Sequence, residues 1–385
     1  MKKFIPFFRP SIGKDEIEEV THTLNSGWLT TGEKTKKFEN NFQNFIGKGN
    51  NCIAVSSATA GLHLAVASLN IGPGDEVIVP NHTFTSTAEV VRYTGAEVKL
   101  VDVDEKTLNI SVDKIKSAIN RKTKAIIVVH FAGLSCEMDE IIKFANQKKL
   151  FVIEDAAHAL PTTYKKQLIG NLKTHATVFS FYANKTITTG EGGMVVTKNK
   201  KLAKRIKVLR LHGIDTDAFD RYTANKPKWY YQIVDAGFKY NLADTASAIG
   251  IHQLKKVNKL QKRREKIANY YLNEFKGLNL DLPAKAINGD LHSWHLFIIK
   301  LRVNDEKIRN MFIENMNNLK IGCSVHYIPL HKHPYWKNRY KLSSDEFPVS
   351  EKLFKGIVSL PIYNDLSDSE VEYISNSVRK LTNNI

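Results

Sequence analysis

The sequence predicts an α/β protein, with a large, mostly parallel sheet flanked by helices and a smaller α+β part after it. Two observations carry this reading. Short, continuous apolar runs recur through roughly the first 245 residues, with helical patterns between them. Continuous rather than alternating runs mark parallel strands buried on both faces, and repeated strand–helix order implies right-handed crossovers within one sheet. After about residue 245 the alternation gives way to one long helical pattern, then to mixed strands and helices.

Residues 14–47 read as helix, loop and helix. Helical spacing over 15–26 is interrupted by Gly27-Trp28-Leu29-Thr30-Thr31-Gly32, which has turn chemistry. Strands are expected at 51–55, 76–79, 97–101, 125–130, 151–154, 176–181 and 194–197, with helices at 59–69, 86–93 and 139–147. A long helix over 244–275 leads to strands at 294–301 and 324–328 and helices at 305–319 and 367–381. The change of pattern divides the chain into a large domain, 1–245, and a small one, 246–385.

At 385 residues, 42% hydrophobic and 25% charged, the chain can bury a sizeable core. Cys52, Cys136 and Cys323 are scattered with no Cys-x-x-Cys spacing, against a disulfide framework or zinc ribbon. Met1-Lys2-Lys3-Phe4-Ile5-Pro6 contains no apolar signal segment and no apolar run reaches membrane-spanning length. A cytoplasmic protein without membrane contact is expected. The net charge of +17 is spread along the chain, with short clusters at 198–207 and 255–264. The second lies on a helical pattern and reads as mostly a solvated face. No nucleic-acid module is present, so no nucleic-acid partner is expected; a basic surface also steers an anionic substrate such as a nucleotide diphosphate. His326, His331 and His333 are irregularly spaced with no carboxylate beside them, so no metal is expected.

Ligands of open α/β sheets collect at the carboxyl ends of the strands, and four elements fall there. Lys185 follows the strand at 176–181 and precedes Thr189-Gly190-Glu191-Gly192-Gly193. A lysine at the mouth of a sheet suits an amine that forms a Schiff base, and desolvation would free that amine; taken singly, a lysine is more often a surface charge. Asp155 ends the strand at 151–154 and would hold a pyridine nitrogen protonated, or simply cap a following helix. His158, three residues on, would share its helical face and touch a cofactor, or be a satisfied core histidine. Ser57, Ala58 and Thr59 open a helix, where backbone N–H groups attract phosphate; Ser57 alone would read as an N-cap. Phe84 in Asn81-His82-Thr83-Phe84-Thr85-Ser86 would stack on a flat heterocycle, or be core.

The order of these segments resembles the DegT/DnrJ family of nucleotide-sugar aminotransferases, a branch of the fold-type I pyridoxal-phosphate enzymes. The resemblance also covers 27–32, 56–61, 154–159, 237–244 and 325–331, nearly the whole chain. It implies a seven-stranded, mostly parallel sheet and pyridoxal 5′-phosphate as cofactor, with pyridoxamine 5′-phosphate as its aminated form. It implies that Lys185 carries the cofactor as a Schiff base and that Asp155 pairs with the ring nitrogen. His158 and Phe84 would flank the ring, and Ala58, Thr59 and Ser180 would hold the phosphate. Asn241 would reach that phosphate from the neighbouring subunit of a homodimer, so that active sites are shared. Thr31, His326 and Tyr327 would line the sugar site. The implied reaction moves an amino group from glutamate to a nucleotide-linked 4-keto sugar, on UDP, for a surface glycan such as lipopolysaccharide, O-antigen or capsule. The alternatives are a 3-keto sugar acceptor, or a catalytically silent cofactor-binding sensor of the same fold. Thr186 and Pro161 depart from the family's usual Asn and Gly without removing a reacting group.

Overall fold

The computed structural model describes residues 3–215 and 229–383. Two helices, α1 (Lys14–Asn25) and α2 (Glu33–Ile46), precede the sheet. Then follow β1 (Asn51–Val55), α3 (Ala58–Ser68), β2 (Glu76–Pro80), α4 (Ser86–Tyr93), β3 (Glu97–Val101), α5 (Val112–Ala118), β4 (Thr123–Val129), α6 (Met138–Lys148) and β5 (Phe151–Asp155). A two-stranded hairpin, β6 (Thr163–Tyr164) and β7 (Gln167–Leu168), leads to β8 (Ala176–Ser180), β9 (Gly193–Thr197) and α7 (Lys200–Leu209).

These strands form a seven-stranded sheet in the order β1-β9-β8-β5-β4-β2-β3. Six run one way; β9 runs against both its neighbours. Side chains alternate between faces along each strand, so Ile53, Val79, Ile127 and Val178 enter one core while Ala54, Ile78, Val128 and Phe179 enter the other. Burial on both sides is why the strands read as unbroken apolar runs. Helix α3 lies directly on the sheet at Gly61, where a Cβ would stand 2.7 Å from Val178 Cγ1.

Helix α8 (Asp244–Glu274) runs from the flank of the large sheet to a second core. There β10 (Leu280–Asp281), β11 (Phe297–Leu301) and β12 (Ile357–Leu360) form an antiparallel sheet in that order. Around it lie α9 (Glu306–Asn318), α10 (Pro334–Tyr340), α11 (Pro348–Gly356) and α12 (Asp368–Thr382).

Three expectations need correction. Residues 324–328 are not a strand: Ser324 makes an isolated bridge to Ser359, and the side chains beyond it line a cavity. The strand in that place is β12. Residues 294–296 do not extend β11, because Ser293 and Leu296 donate their N–H groups to Gly133 and Ala132 instead. The cluster at 255–264 is mostly solvated, as expected, with one exception that corrects it: Arg264 is 3% exposed, while Lys256 pairs with buried Glu16.

Burial holds several histidines uncharged. Burial pushes His63, His82 and His326 down to about 4 and His292 to about 3, and holds His158 and His295 well below the ordinary value of 6.5. The unfolded chain protonates these rings below about pH 6.5 while the folded chain does not. Stability is therefore full above that value and is lost as pH falls toward 4, on the order of 1–2 kcal/mol per ring by about pH 5. Glu19, held down at about 2 by Lys34 and His252, and Glu351, held down at about 2 by hydrogen bonds from Ser344, His331 and Lys332, add losses only as pH falls below the ordinary carboxylate range. Thermal melts of the cofactor-free protein should show a midpoint that drops steeply between about pH 6.5 and pH 4.5. A midpoint flat across that window would contradict the neutral burial of these rings.

Candidate active site

The carboxyl edge of the large sheet holds a cavity of about 440 Å³. Its walls include Ser57, Ala58, Thr59, Phe84, Asp155, His158, Ser180, Lys185, His326 and Tyr327, so ten of the expected residues share one space. Most come from the end of a strand or the turn or helix start just beyond it; His326 and Tyr327 come from the loop after α9.

Lys185 is set by a tight turn, its N–H donating to Tyr182 O at 3.0 Å. The loop after it is pinned internally: Thr188 Oγ1 donates to Phe181 O at 2.9 Å and accepts from Gly190 N–H at 2.9 Å. Gln253 on α8 accepts from Thr188 N–H and donates to Ser11 O and Glu16, tying the loop to α1. Gly193 is needed because a Cβ there would lie 2.8 Å from Ala58 N, at the start of α3. Burial lowers Lys185 to about 8, opposed by Asp155 and assisted by Arg264.

Asp155 is 4% exposed, at the cavity's floor. One oxygen accepts from Ala157 N–H at 3.1 Å and the other from Thr87 Oγ1 at 2.8 Å. Burial still raises its carboxyl above the ordinary range. A desolvated carboxylate of this kind favours a nearby cation, and a protonated pyridine nitrogen is one.

The chain after Asp155 is a pair of turns, not a helix; Ala159 and Thr162 donate to Ala156 O and Ala159 O. Asp155 therefore caps a turn and no helix, and His158 reaches the cavity by that turn. His158 Nδ1 accepts from Ala132 N–H at 3.3 Å, which places the ring proton on Nε2, and Nε2–H donates to Tyr327 Oη at 3.1 Å. The phenol proton of Tyr327 is then free to point into the cavity, and burial keeps that phenol unionised. Phe84, 55% exposed, is no core residue; its ring lies 5.8 Å from that of Tyr327. Ser57 is the N-cap of α3, its Oγ accepting from Ala60 N–H at 3.0 Å. The amides of Ala58 and Thr59, the first two of the helix, have no earlier turn to bond to and face the cavity with Ser180. The donor set fits pyridoxal phosphate: an anion site at a helix start, a buried acid and an amine, all on the walls of one cavity.

Asn241 and Thr31 do not line this cavity within one chain. Asn241 Nδ2 donates to Thr31 Oγ1 at 2.8 Å, and Thr31 donates to Leu242 O. A carboxylate does accompany His331, Glu351 at 2.7 Å, but its other ring nitrogen meets Asn81, and among the described residues no three potential ligands gather. Thr87 and His295 were missed. The hydroxyl-rich run 83–87 could have flagged Thr87; nothing local flags His295.

The family model of the DegT/DnrJ/EryC1/StrS aminotransferases matches residues 10–379. The chain belongs to that family. Its chemistry is pyridoxal-phosphate-dependent, which agrees with the cavity's donor set. Among relatives, the chain is 47% identical to the uncharacterized protein MJ1066 of Methanocaldococcus jannaschii, over 99% of this chain and 98% of that one. It is 44% identical to the spore coat polysaccharide biosynthesis protein SpsC of Bacillus subtilis, over 98% and 97%. Among solved structures, the putative sugar aminotransferase Spr1654 of Streptococcus pneumoniae superposes in its PMP form with a TM-score of 0.93 at 33% identity, covering 99% of each chain. Its PLP form superposes with a TM-score of 0.92.

Proposed function

We propose that this aminotransferase moves an amino group from glutamate to carbon 4 of a nucleotide-linked 4-keto sugar, on UDP, supplying a 4-amino-deoxy sugar for a surface glycan. The observation that carries the chemistry is that Lys185, Asp155 and the start of α3 line one cavity. The sugar assignment is supported by the names of SpsC and Spr1654, a polysaccharide biosynthesis protein and a putative sugar aminotransferase. Room for a nucleotide is supported by an adjoining cavity of about 860 Å³ that shares Thr83, Phe84 and Tyr327 and has Tyr93 and Tyr335 on its walls; aromatic faces suit a stacked base.

Bound pyridoxal 5′-phosphate supplies an electrophilic carbon for amine exchange and a ring that accepts electrons from the carbon losing its proton. The protein's own groups do the rest. Asp155 holds the proton on the ring nitrogen. Ala58, Thr59 and Ser180, with Ser57, bind the phosphate, and Phe84 and His158 flank the ring. Lys185 Nζ takes the proton from the α-carbon of glutamate and, in the second half, delivers one to carbon 4 of the sugar. Tyr327, with His326, faces the sugar, and Thr31, which lies outside its own chain's cavity, would reach a sugar only from a second copy.

Asn241 is proposed to serve the cavity of a second copy, since it lies outside its own. Exposed Trp229, Tyr230 and Ile233 a few residues upstream support a covered face there. A monomer by light scattering would contradict the shared site. The division at 245/246 is likewise proposed, α8 being the element common to both cores. The substrate reading is tested by incubating the cofactor-loaded enzyme with glutamate and a panel of nucleotide keto sugars. Mass spectrometry should find the keto oxygen replaced by an amine in UDP 4-keto sugars; exclusive amination of 3-keto sugars, or none, would contradict it.

A further inference from the structure

His295 reaches the reactive lysine across 110 residues of sequence, with its Nε2 3.4 Å from Lys185 Nζ. The imidazole is 4% exposed and lies against His158, ring centroids 4.3 Å apart. Its backbone is tightly held. The Arg264 guanidinium donates to the carbonyls of Trp294, His295 and Ile362 at 3.2, 3.3 and 2.9 Å. Ser293 Oγ donates to His158 O at 2.5 Å, and Leu296 N–H to Ala132 O at 3.3 Å. Trp294 is kept at φ +48°, a conformation that bulky residues rarely adopt unless their surroundings impose it.

This anchoring fixes where the ring proton sits. Nδ1 of His295 is buried and finds no hydrogen-bond partner among the described residues. A proton there would be an orphaned buried N–H, which costs more than an idle lone pair. The proton therefore belongs on Nε2, aimed at Lys185. Asp155, His158, His326 and Arg264 also face this pair. Burial, with Lys185 and Arg264 nearby, keeps His295 itself uncharged through the neutral range.

We propose that His295 is a catalytic residue whose Nε2–H donates to the lone pair of the neutral Lys185 amine, holding the lysine in the form that attacks carbonyls and accepts protons; this rests on Lys185 being the reactive amine. An ammonium has no lone pair to offer, so protonating Lys185 breaks the bond and sets N–H against N–H. The imidazole thus favours the free base.

The test uses cofactor-free protein. Reductive methylation with formaldehyde and cyanoborohydride over a pH series, read by mass spectrometry at the Lys185 peptide, titrates that amine directly. The wild type should reach half its limiting rate near the value of about 8 that burial sets. His295→Phe should move that midpoint up by ~0.5 unit or more, a roughly threefold loss of free amine at about pH 7. His295→Gln, which keeps an N–H donor, should lie nearer the wild type. A midpoint unchanged or lowered in His295→Phe overturns the proposal. Nitrogen-15 NMR of histidine-labelled wild type at about pH 9, above the lysine's midpoint, decides the matter even if the variant fails to fold. Nε2 protonated with Nδ1 bare is expected, and the reverse tautomer overturns it. Borohydride labelling of wild type with pyridoxal phosphate at a residue other than Lys185 would instead defeat the assignment of the lysine, leaving both titrations valid for the pair.

Discussion

Lys185→Ala should lower turnover of glutamate and keto sugar by at least ~10⁴-fold, because it deletes both the amine that exchanges with substrate and the group that moves the proton. The loss should appear in each half-reaction, followed separately with glutamate alone and with keto sugar alone. The fold should survive: the lysine's hydrogen bonds among the described residues are its backbone turn and the 3.4 Å approach to His295, so the melting midpoint should shift by only about a few degrees. The burial that lowers this lysine from 10.5 to about 8 also sets a pH signature. At about pH 7 it leaves roughly 300-fold more free amine than an ordinary lysine would have. Cofactor loading of the wild-type apoprotein should accelerate as pH rises through about 8, the amine's midpoint. Appreciable turnover in Lys185→Ala would remove the lysine from the mechanism.

Asp155→Asn should be the second most damaging change. The amide is nearly the same size; its oxygen can still accept from Ala157 N–H and its nitrogen can donate to Thr87 Oγ1, the two partners of the present carboxylate. What it lacks is charge. Without a buried anion the ring nitrogen loses its reason to stay protonated, and proton removal from the α-carbon of glutamate should slow by roughly 10²–10³-fold. Stopped-flow measurement of the glutamate half-reaction should show the drop in rate at saturating substrate, with a smaller change in the half-saturating concentration. An unchanged rate would place Asp155 outside the chemistry.

Much of this site could be read in the sequence because its parts sit at fixed offsets from buried strands. β1, α4 and β3 fall where their patterns put them; Asp155 ends its strand, and Ser57 and Lys185 follow theirs by a few residues. Strand direction was not readable. β9 is apolar on both faces like its neighbours, and burial on both faces carries no mark of antiparallel pairing. β12 was hidden because Ile357-Val358-Ser359-Leu360 is only four residues long and follows directly on α11. Its partner Ser324 begins a stretch whose apolar residues mimic a strand but face the cavity. His158 looked helical by spacing, but the backbone after Asp155 turns twice. His295 and Arg264 carry no local signal; their place depends on how β11 and α8 approach the large sheet.

The most direct test of the account is to load the protein with pyridoxal phosphate, reduce it with borohydride and map the peptides. A single pyridoxyl label on Lys185 is the predicted result. A label on another lysine, or none in protein that has visibly taken up the cofactor, would contradict it.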